Sequence, residues 1–238
     1  GISLIRKHRY EFIHGIEDAG FLAVLLAKYS GSYAIFEKHS DPSSYRKGPL
    51  RNILMACYSA VEKWTAERSD AVIGTGPGLA GQLEQMRPRG SVHCICDIPS
   101  SLREPDPLKT KDIRKRLLSG SGDYSKDRII ASYVGSFAVY QGVDLMFDAI
   151  IRASADCPAI LFVIIGGAEH EITAGKKYLS SRGVNPEKIV FTGKVPPDDL
   201  PDYLAAADIL MSPRLAGVNT PLKLLDYLKT GKAVCATN

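Results

Sequence analysis

The stretch Ser212-Pro-Arg-Leu-Ala-Gly-Val-Asn-Thr-Pro-Leu-Lys-Leu-Leu-Asp-Tyr-Leu-Lys-Thr-Gly-Lys-Ala-Val-Cys-Ala-Thr237 decides how the chain is read. It follows an apolar run, opens with a Pro/Gly/Asn loop, and turns helical where Leu222, Leu224, Leu225 and Leu228 fall at helical spacing. The spacing predicts a helix beginning at Thr220-Pro221, because Thr is a favoured N-cap and Pro at the first helical position loses no useful N–H. Such a helix start offers unpaired amides and a positive dipole end, where anions bind. Lys223 and Asp226, three apart, share one side of the first turns. One cation and one carboxylate beside an amide-rich helix start suit a nucleoside diphosphate: amides and Lys223 for the phosphates, Asp226 for a ribose diol. Gly231 then stops the helix, and residues 233–237 read as a buried strand.

Upstream, apolar strands alternate with helices. The predicted strands are 10–15, 32–38, 69–74, 91–96, 128–134, 159–165, 188–192 and 208–211. The predicted helices cover 16–29, 46–68, a segment through Met86, 109–118, one opening at 140–149, one with Lys176 and Lys177, and 198–207. Strand–helix–strand repeats imply right-handed parallel units, which bind ligands beyond the carboxyl ends of their strands. His14 and His39 both fall at such ends, where they could equally make loop hydrogen bonds. The Pro-rich connector at 97–110 separates two halves, giving domains 1–105 and 106–238. The termini read as those of a fragment, with sequence expected beyond both ends.

Several alternatives carry less weight. The Gly74-Thr-Gly-Pro-Gly78 cluster does not fit GxGxxG, so a nicotinamide or flavin oxidoreductase lacks its fingerprint. Glu169, His170 and Glu171 are adjacent and diverge in direction, so no metal site is expected. Gly135 could be a glycine turn without a ligand. In the basic helix 46–68, Leu50, Ile53, Leu54, Cys57, Val61 and Trp64 form a stripe that either packs on the sheet or lies on an anionic membrane. The five cysteines include no CxxC pair, and their apolar settings predict reduced, buried thiols in a cytoplasmic protein. A net charge of +4 is too mild to argue for nucleic acid but compatible with polyphosphate ligands. No apolar run approaches the roughly 18 residues of a membrane span.

The Asn219-Thr-Pro-Leu-Lys223 run with its Gly231-Lys232 turn resembles the donor segment of retaining glycosyltransferases of family four. So does the Val134-Gly-Ser…Gly142-Val-Asp144 pattern. The resemblance covers nearly the whole chain and implies an α/β protein of GT-B fold, with two Rossmann-like parallel-sheet domains. It further implies a nucleotide-diphosphate sugar held by the second domain, and a glycan or lipid-linked acceptor in the cleft between the two. Residues matching the family's donor site are Gly135, Ser136, Lys194, Val195, Asn219, Thr220, Pro221, Leu222, Lys223 and Asp226, and His39 matches the residue beside the reacting sugar. Transfer with retention in cell-surface polysaccharide synthesis, without metal or other cofactor, is what the family implies. The pattern departs at Val218, where relatives carry a carboxylate, and at Ser136 and Gln141, where many carry basic residues. Those departures keep open a non-catalytic binding or regulatory module. Sugar-nucleotide epimerases use the same fold.

Overall fold

A computed structural model describes residues 2–41, 49–87, 90–119 and 128–237, for 49–51 the backbone alone. The start of the predicted 46–68 helix and the side chain of Leu50 fall outside those residues. The chain divides into two compact units, one of residues 1–97 with 216–220, the other of 98–215 with 221–238. The division falls just after Asp97, not at 105/106. Arg103 and the Asp106 amide are tied to Asp202, which keeps the rest of the connector with the second unit.

In the first unit, a short helix α1 (Ile2–Lys7) precedes β1 (Phe12–Ile16), α2 (Ala19–Ser30), β2 (Tyr33–Lys38), α3 (Pro49–Arg68), β3 (Ala71–Gly74), α4 (Pro77–Met86) and β4 (Val92–Cys94). The strands pair in parallel in the order β1-β2-β3-β4. α2 stops at Gly31, whose left-handed φ of 74° lets its N–H reach the Ala27 carbonyl. Phe36, Ala66, Val72 and Leu83 form the core beside a buried Lys38–Glu62 ion pair.

α3 does not bury the apolar stripe predicted for it. Ile53 and Leu54 are 65% and 63% exposed and Val61 is exposed, while Glu62, Thr65, Ala66 and Ser69 turn inward. The small Ala66 and the ion-paired Glu62 allow close approach to the sheet, which outweighs the burial of larger side chains. Among the described residues no helix is long and apolar enough to cross a membrane.

The second unit runs α5 (Pro107–Ser119), β5 (Ile129–Val134), α6 (Val143–Asp156), β6 (Ile160–Ile165), α7 (Glu169–Ser181), β7 (Ile189–Gly193), α8 (Leu200–Ala206), β8 (Ile209–Ser212), α9 (Leu222–Lys229) and β9 (Ala233–Ala236). Its five parallel strands lie in the order β7-β6-β5-β8-β9. Strand order therefore reverses beside β5, the kind of position where open α/β sheets bind ligands. Alternation along β5 and β6 builds two cores. Ile130, Leu161, Val163 and Ile165 face Ile113, Leu117, Leu204 and Tyr227, while Ala131, Tyr133, Phe162 and Ile164 face Met146, Phe147, Ile150 and Leu179. Each fully buried side chain of this size contributes about 1.5–3 kcal/mol.

Two expectations fail here. β9 is an edge strand with mostly exposed residues, pairing among the described strands with β8 alone. All five cysteines are exposed rather than buried: Cys57 on α3, Cys94 and Cys96 around the end of β4, Cys157 capping α6, and Cys235 on the edge strand.

Candidate functional site

At the carboxyl ends of β5, β6 and β7 the second unit encloses a cavity of about 580 Å³, lined in part by Gly135, Ser136, Gly167, Lys194, Val195 and Leu200. Four residues singled out from sequence, Gly135, Ser136, Lys194 and Val195, thus meet in one place. The glycines are obligatory for their backbone. Gly135 has φ 155° and Gly166 φ 115°, and a Cβ on Gly166 would collide with the Gly135 carbonyl oxygen. A Cβ on Gly135 would stand 2.7 Å from Tyr133 Oη and 3.2 Å from Lys223 Nζ. Bare backbone therefore forms the floor of the cavity, which allows close approach of a phosphate.

Lys223 donates to Gln141 Oε1 at 2.6 Å and lies 4.4 Å from the centre of the Tyr133 ring. Burial, with the charge of Arg214 adding, lowers its pKa from 10.5 to about 8. The Tyr133 hydroxyl donates to the Ser136 carbonyl at 2.7 Å, which fixes the turn after Gly135. Burial pushes the Tyr133 hydroxyl pKa up, so it stays a neutral donor. Gln141, which stands where many relatives of the resembled family carry a basic residue, instead anchors the lysine in the first turn of α9.

The start of α9 differs in detail from the sequence expectation. Pro221, not Thr220, is the N-cap residue, with extended φ −63° and ψ 124°, and no side chain caps the helix. The reason is local: Leu224 N–H already reaches the Pro221 carbonyl, so the helical ladder starts one residue later. Leu222 is half exposed, at 50%. Asn219 and Thr220 group with the first unit, whereas Pro221 through Asp226 belong to the second.

Asp226 does not line the large cavity. It is 9% exposed, and its two oxygens accept from Ser100 N–H at 2.7 Å and Ser100 Oγ at 2.5 Å. With Ser100, Arg103, Leu200 and Lys229 it borders a separate cavity of about 110 Å³. Tyr227, which the sequence gave no reason to single out, accepts from Val134 N–H at 2.9 Å and donates to the Met211 carbonyl at 3.3 Å. It thereby ties the ends of β5 and β8 together at the reversal in strand order.

In the first unit His39 follows β2, with its N–H donating to Glu17 Oε1 at 2.6 Å. Its Nε2 stands 2.7 Å from Glu37 Oε1, and His14 Nε2 stands 2.7 Å from Glu37 Oε2. One carboxylate therefore orients both strand-end histidines. Sequence reading passed over Glu37. The signal was its place on β2 two residues before His39, which follows the strand in extended chain, where alternation puts both side chains on one face. Among the described residues no group of His, Cys, Asp and Glu could hold a metal ion.

Two units of parallel sheet with helical crossovers, the second carrying a glycine-floored cavity, define the GT-B class of fold. Residues 128–238 match the family model described as glycosyl transferases group 1. No curated protein matches the chain. Among solved structures, Anabaena Alr3699/HepE in complex with UDP-glucose superposes with a TM-score of 0.76 at 16% identity, covering 99% of this chain and 62% of that one. Sucrose-phosphate synthase from Thermosynechococcus elongatus gives 0.71 at 18% identity, with 99% and 58% covered. The catalytic domain of starch synthase IV from Arabidopsis thaliana, bound to ADP and acarbose, gives 0.67 at 14%, with 99% and 58% covered. The chain thus spans about three fifths of the length of these structures. At such identities the likeness establishes the fold.

Proposed function

We propose that the protein is a glycosyltransferase that moves a sugar from a nucleoside-diphosphate sugar to a glycan or lipid-linked acceptor. The observation that carries this reading is the glycine-floored cavity with Lys223 against Gly135, lying within the segment that matches the group 1 family model. UDP-glucose bound to Alr3699/HepE names the ligand class to test first.

In this reading the backbone of Gly135 and Ser136, the uncapped start of α9 and the Lys223 ammonium receive the diphosphate. Val195, Pro197 and Leu200 flank the base. Asp226 lies outside that cavity with its carboxylate held by Ser100, so the ribose diol is not assigned to it. The acceptor hydroxyl attacks the anomeric carbon, the bond to the diphosphate breaks, and a departing phosphate oxygen receives the hydroxyl proton. His39 positions the sugar, its ring held by Glu37. The hydroxyl approaches on the face from which the diphosphate departs, so retention is part of the same proposal, and fixed dipoles with Lys223 stabilise the leaving charge without a metal ion.

Peripheral contact with an anionic membrane belongs to it too: Ile53 and Leu54 are exposed on α3, which also carries Lys63 and Arg68. A cytoplasmic location and a role in cell-surface polysaccharide assembly complete the reading. Val218, where the resembled family has a carboxylate, favours one rival: a module that binds a sugar nucleotide without turning it over.

A thermal-shift screen of nucleoside diphosphates and their sugars, followed by a turnover assay on the full protein, tests both. Stabilisation together with transfer or slow hydrolysis supports the enzyme, and stabilisation without any turnover supports the binding module. No stabilisation by any member of the panel sinks the proposed site.

A further inference from the structure

Cys94 ends β4 and Cys96 follows two residues later, in the last turn of chain before the first unit closes at Asp97. Both side chains are exposed, and their sulfur atoms stand 3.9 Å apart, in contact with each other. Residues two apart in extended chain share a face, which is why the thiols meet. A disulfide needs about 2 Å between sulfurs and about 4.4–6.8 Å between Cα atoms. Two extended steps of about 3.3 Å put the Cα atoms near the upper end of that window. Closure therefore needs only a local bend at Ile95.

From this geometry we infer that Cys94 and Cys96 are a redox modification site, closing reversibly to an intramolecular disulfide under peroxide. Both thiols are exposed, and Cys96, beyond the last residue of β4, is the one freer to move, so it attacks as the thiolate, the nucleophilic form. The Cys96 thiolate attacks one oxygen of hydrogen peroxide; the S–O bond forms, the O–O bond breaks, and the expelled hydroxide takes a proton to become water. Cys94 sulfur then attacks Cys96 sulfur. The S–S bond forms, the S–O bond of the sulfenic acid breaks, and the leaving hydroxide combines with the Cys94 proton as a second water. Two thiols lose two electrons and one peroxide becomes two waters.

Oxidation has a structural consequence. The Ile95 N–H donates to the Gly74 carbonyl at 3.1 Å, extending the β3–β4 pairing one residue past the strand. Bending at Ile95 to close the ring weakens that bond, so the disulfide frays the end of β4. A ring closed across a single residue is strained, and strained disulfides are readily reduced. The site shares no residue with the lining of the proposed sugar-nucleotide cavity.

The test uses the folded full protein, reduced, treated with one equivalent of hydrogen peroxide and then alkylated. The expected result is a peptide holding Cys94 and Cys96 lighter by two hydrogens and free of alkyl label, regaining both labels after dithiothreitol, while Cys57, Cys157 and Cys235 stay labelled. In Cys94→Ser the reaction stops at a sulfenic acid on Cys96 that dimedone traps, and exchange of the Ile95 amide is faster in oxidised than in reduced wild type. Phenylarsine oxide, which bridges neighbouring thiols, should protect the same pair in reduced protein. Full labelling of both cysteines after peroxide, disulfides to other cysteines, or failure of phenylarsine oxide to protect the pair would overturn the assignment.

Discussion

Raising the pH from 7 to 9 should weaken binding of a nucleoside diphosphate about tenfold, and the whole of that slope should reside in Lys223. The ammonium rests against a neutral amide oxygen and an aromatic ring, and burial brings its pKa from 10.5 to about 8. An anion placed beside it favours the charged form, so the pKa rises on binding and binding takes up a proton. The sign follows. Below about 8 the lysine is already charged and affinity is flat, whereas above about 8 each pH unit costs about 1.4 kcal/mol, a factor of ten. Calorimetry with UDP at pH 7, 8 and 9, in two buffers of different ionisation enthalpy, reads both the affinity and the proton uptake. The uptake should be about half a proton at pH 8. Lys223→Ala should lose about 1.5–3 kcal/mol at pH 7, roughly 10- to 150-fold, and bind with little pH dependence. A wild-type affinity that is flat from pH 7 to 9, or the same slope in both proteins, would refute the reasoning.

The same burial makes the unliganded lysine a burden: holding it charged costs about 3 kcal/mol below pH 8, a penalty that fades between pH 8 and 10.5. Lys223→Met should therefore raise stability to urea at pH 7 by about 1–3 kcal/mol while weakening nucleotide binding; a destabilised variant would contradict this. Tyr227→Phe leaves the Val134 N–H without its partner between β5 and β8 and should cost about 1–3 kcal/mol in urea unfolding, with less than about 0.5 kcal/mol counting against the role given to Tyr227. Asp202 is fully buried; burial raises its pKa, but the Arg103 guanidinium, the Asp106 N–H and Lys109 together win and hold it below the usual carboxylate range. Its stabilisation is present above about pH 4 and lost as pH falls through the lowered pKa, so Asp202→Asn should lose about 2–4 kcal/mol at pH 7 and show a shallower acid limb. Unfolding midpoints from pH 2.5 to 7 that run parallel in both proteins would refute that.

Much of the architecture was legible because it is written in local pattern. The continuous apolar run of β6, the glycine stop of α2 and the strand–helix alternation each depend on a few neighbouring residues, and the structure reproduces them within a residue or three. The gathering of Gly135, Ser136, Lys194 and Val195 followed from topology, since parallel strands deliver their carboxyl ends to one edge. What escaped depends on partners distant in sequence. Ser100 meets Asp226 across 126 residues, and Tyr227 meets Val134 across 93, so neither hydrogen bond leaves a local mark. The inward face of α3 was misjudged because a buried Lys38–Glu62 pair turns a charged residue toward the sheet and leaves Ile53 and Leu54 outside. Exposed cysteines in apolar segments mislead for a similar reason: composition reports hydrophobicity, not which face of the element the sheet covers.

The central claim is that the cavity beyond β5, β6 and β7 holds a sugar-bearing diphosphate. A crystal structure of the full protein with a UDP-sugar, or with UDP, tests it most directly. The diphosphate should lie within hydrogen-bond distance of the Gly135–Ser136 backbone and of Lys223 Nζ, with the base against Val195. A nucleotide bound elsewhere, with that cavity filled by protein side chains, would contradict the account.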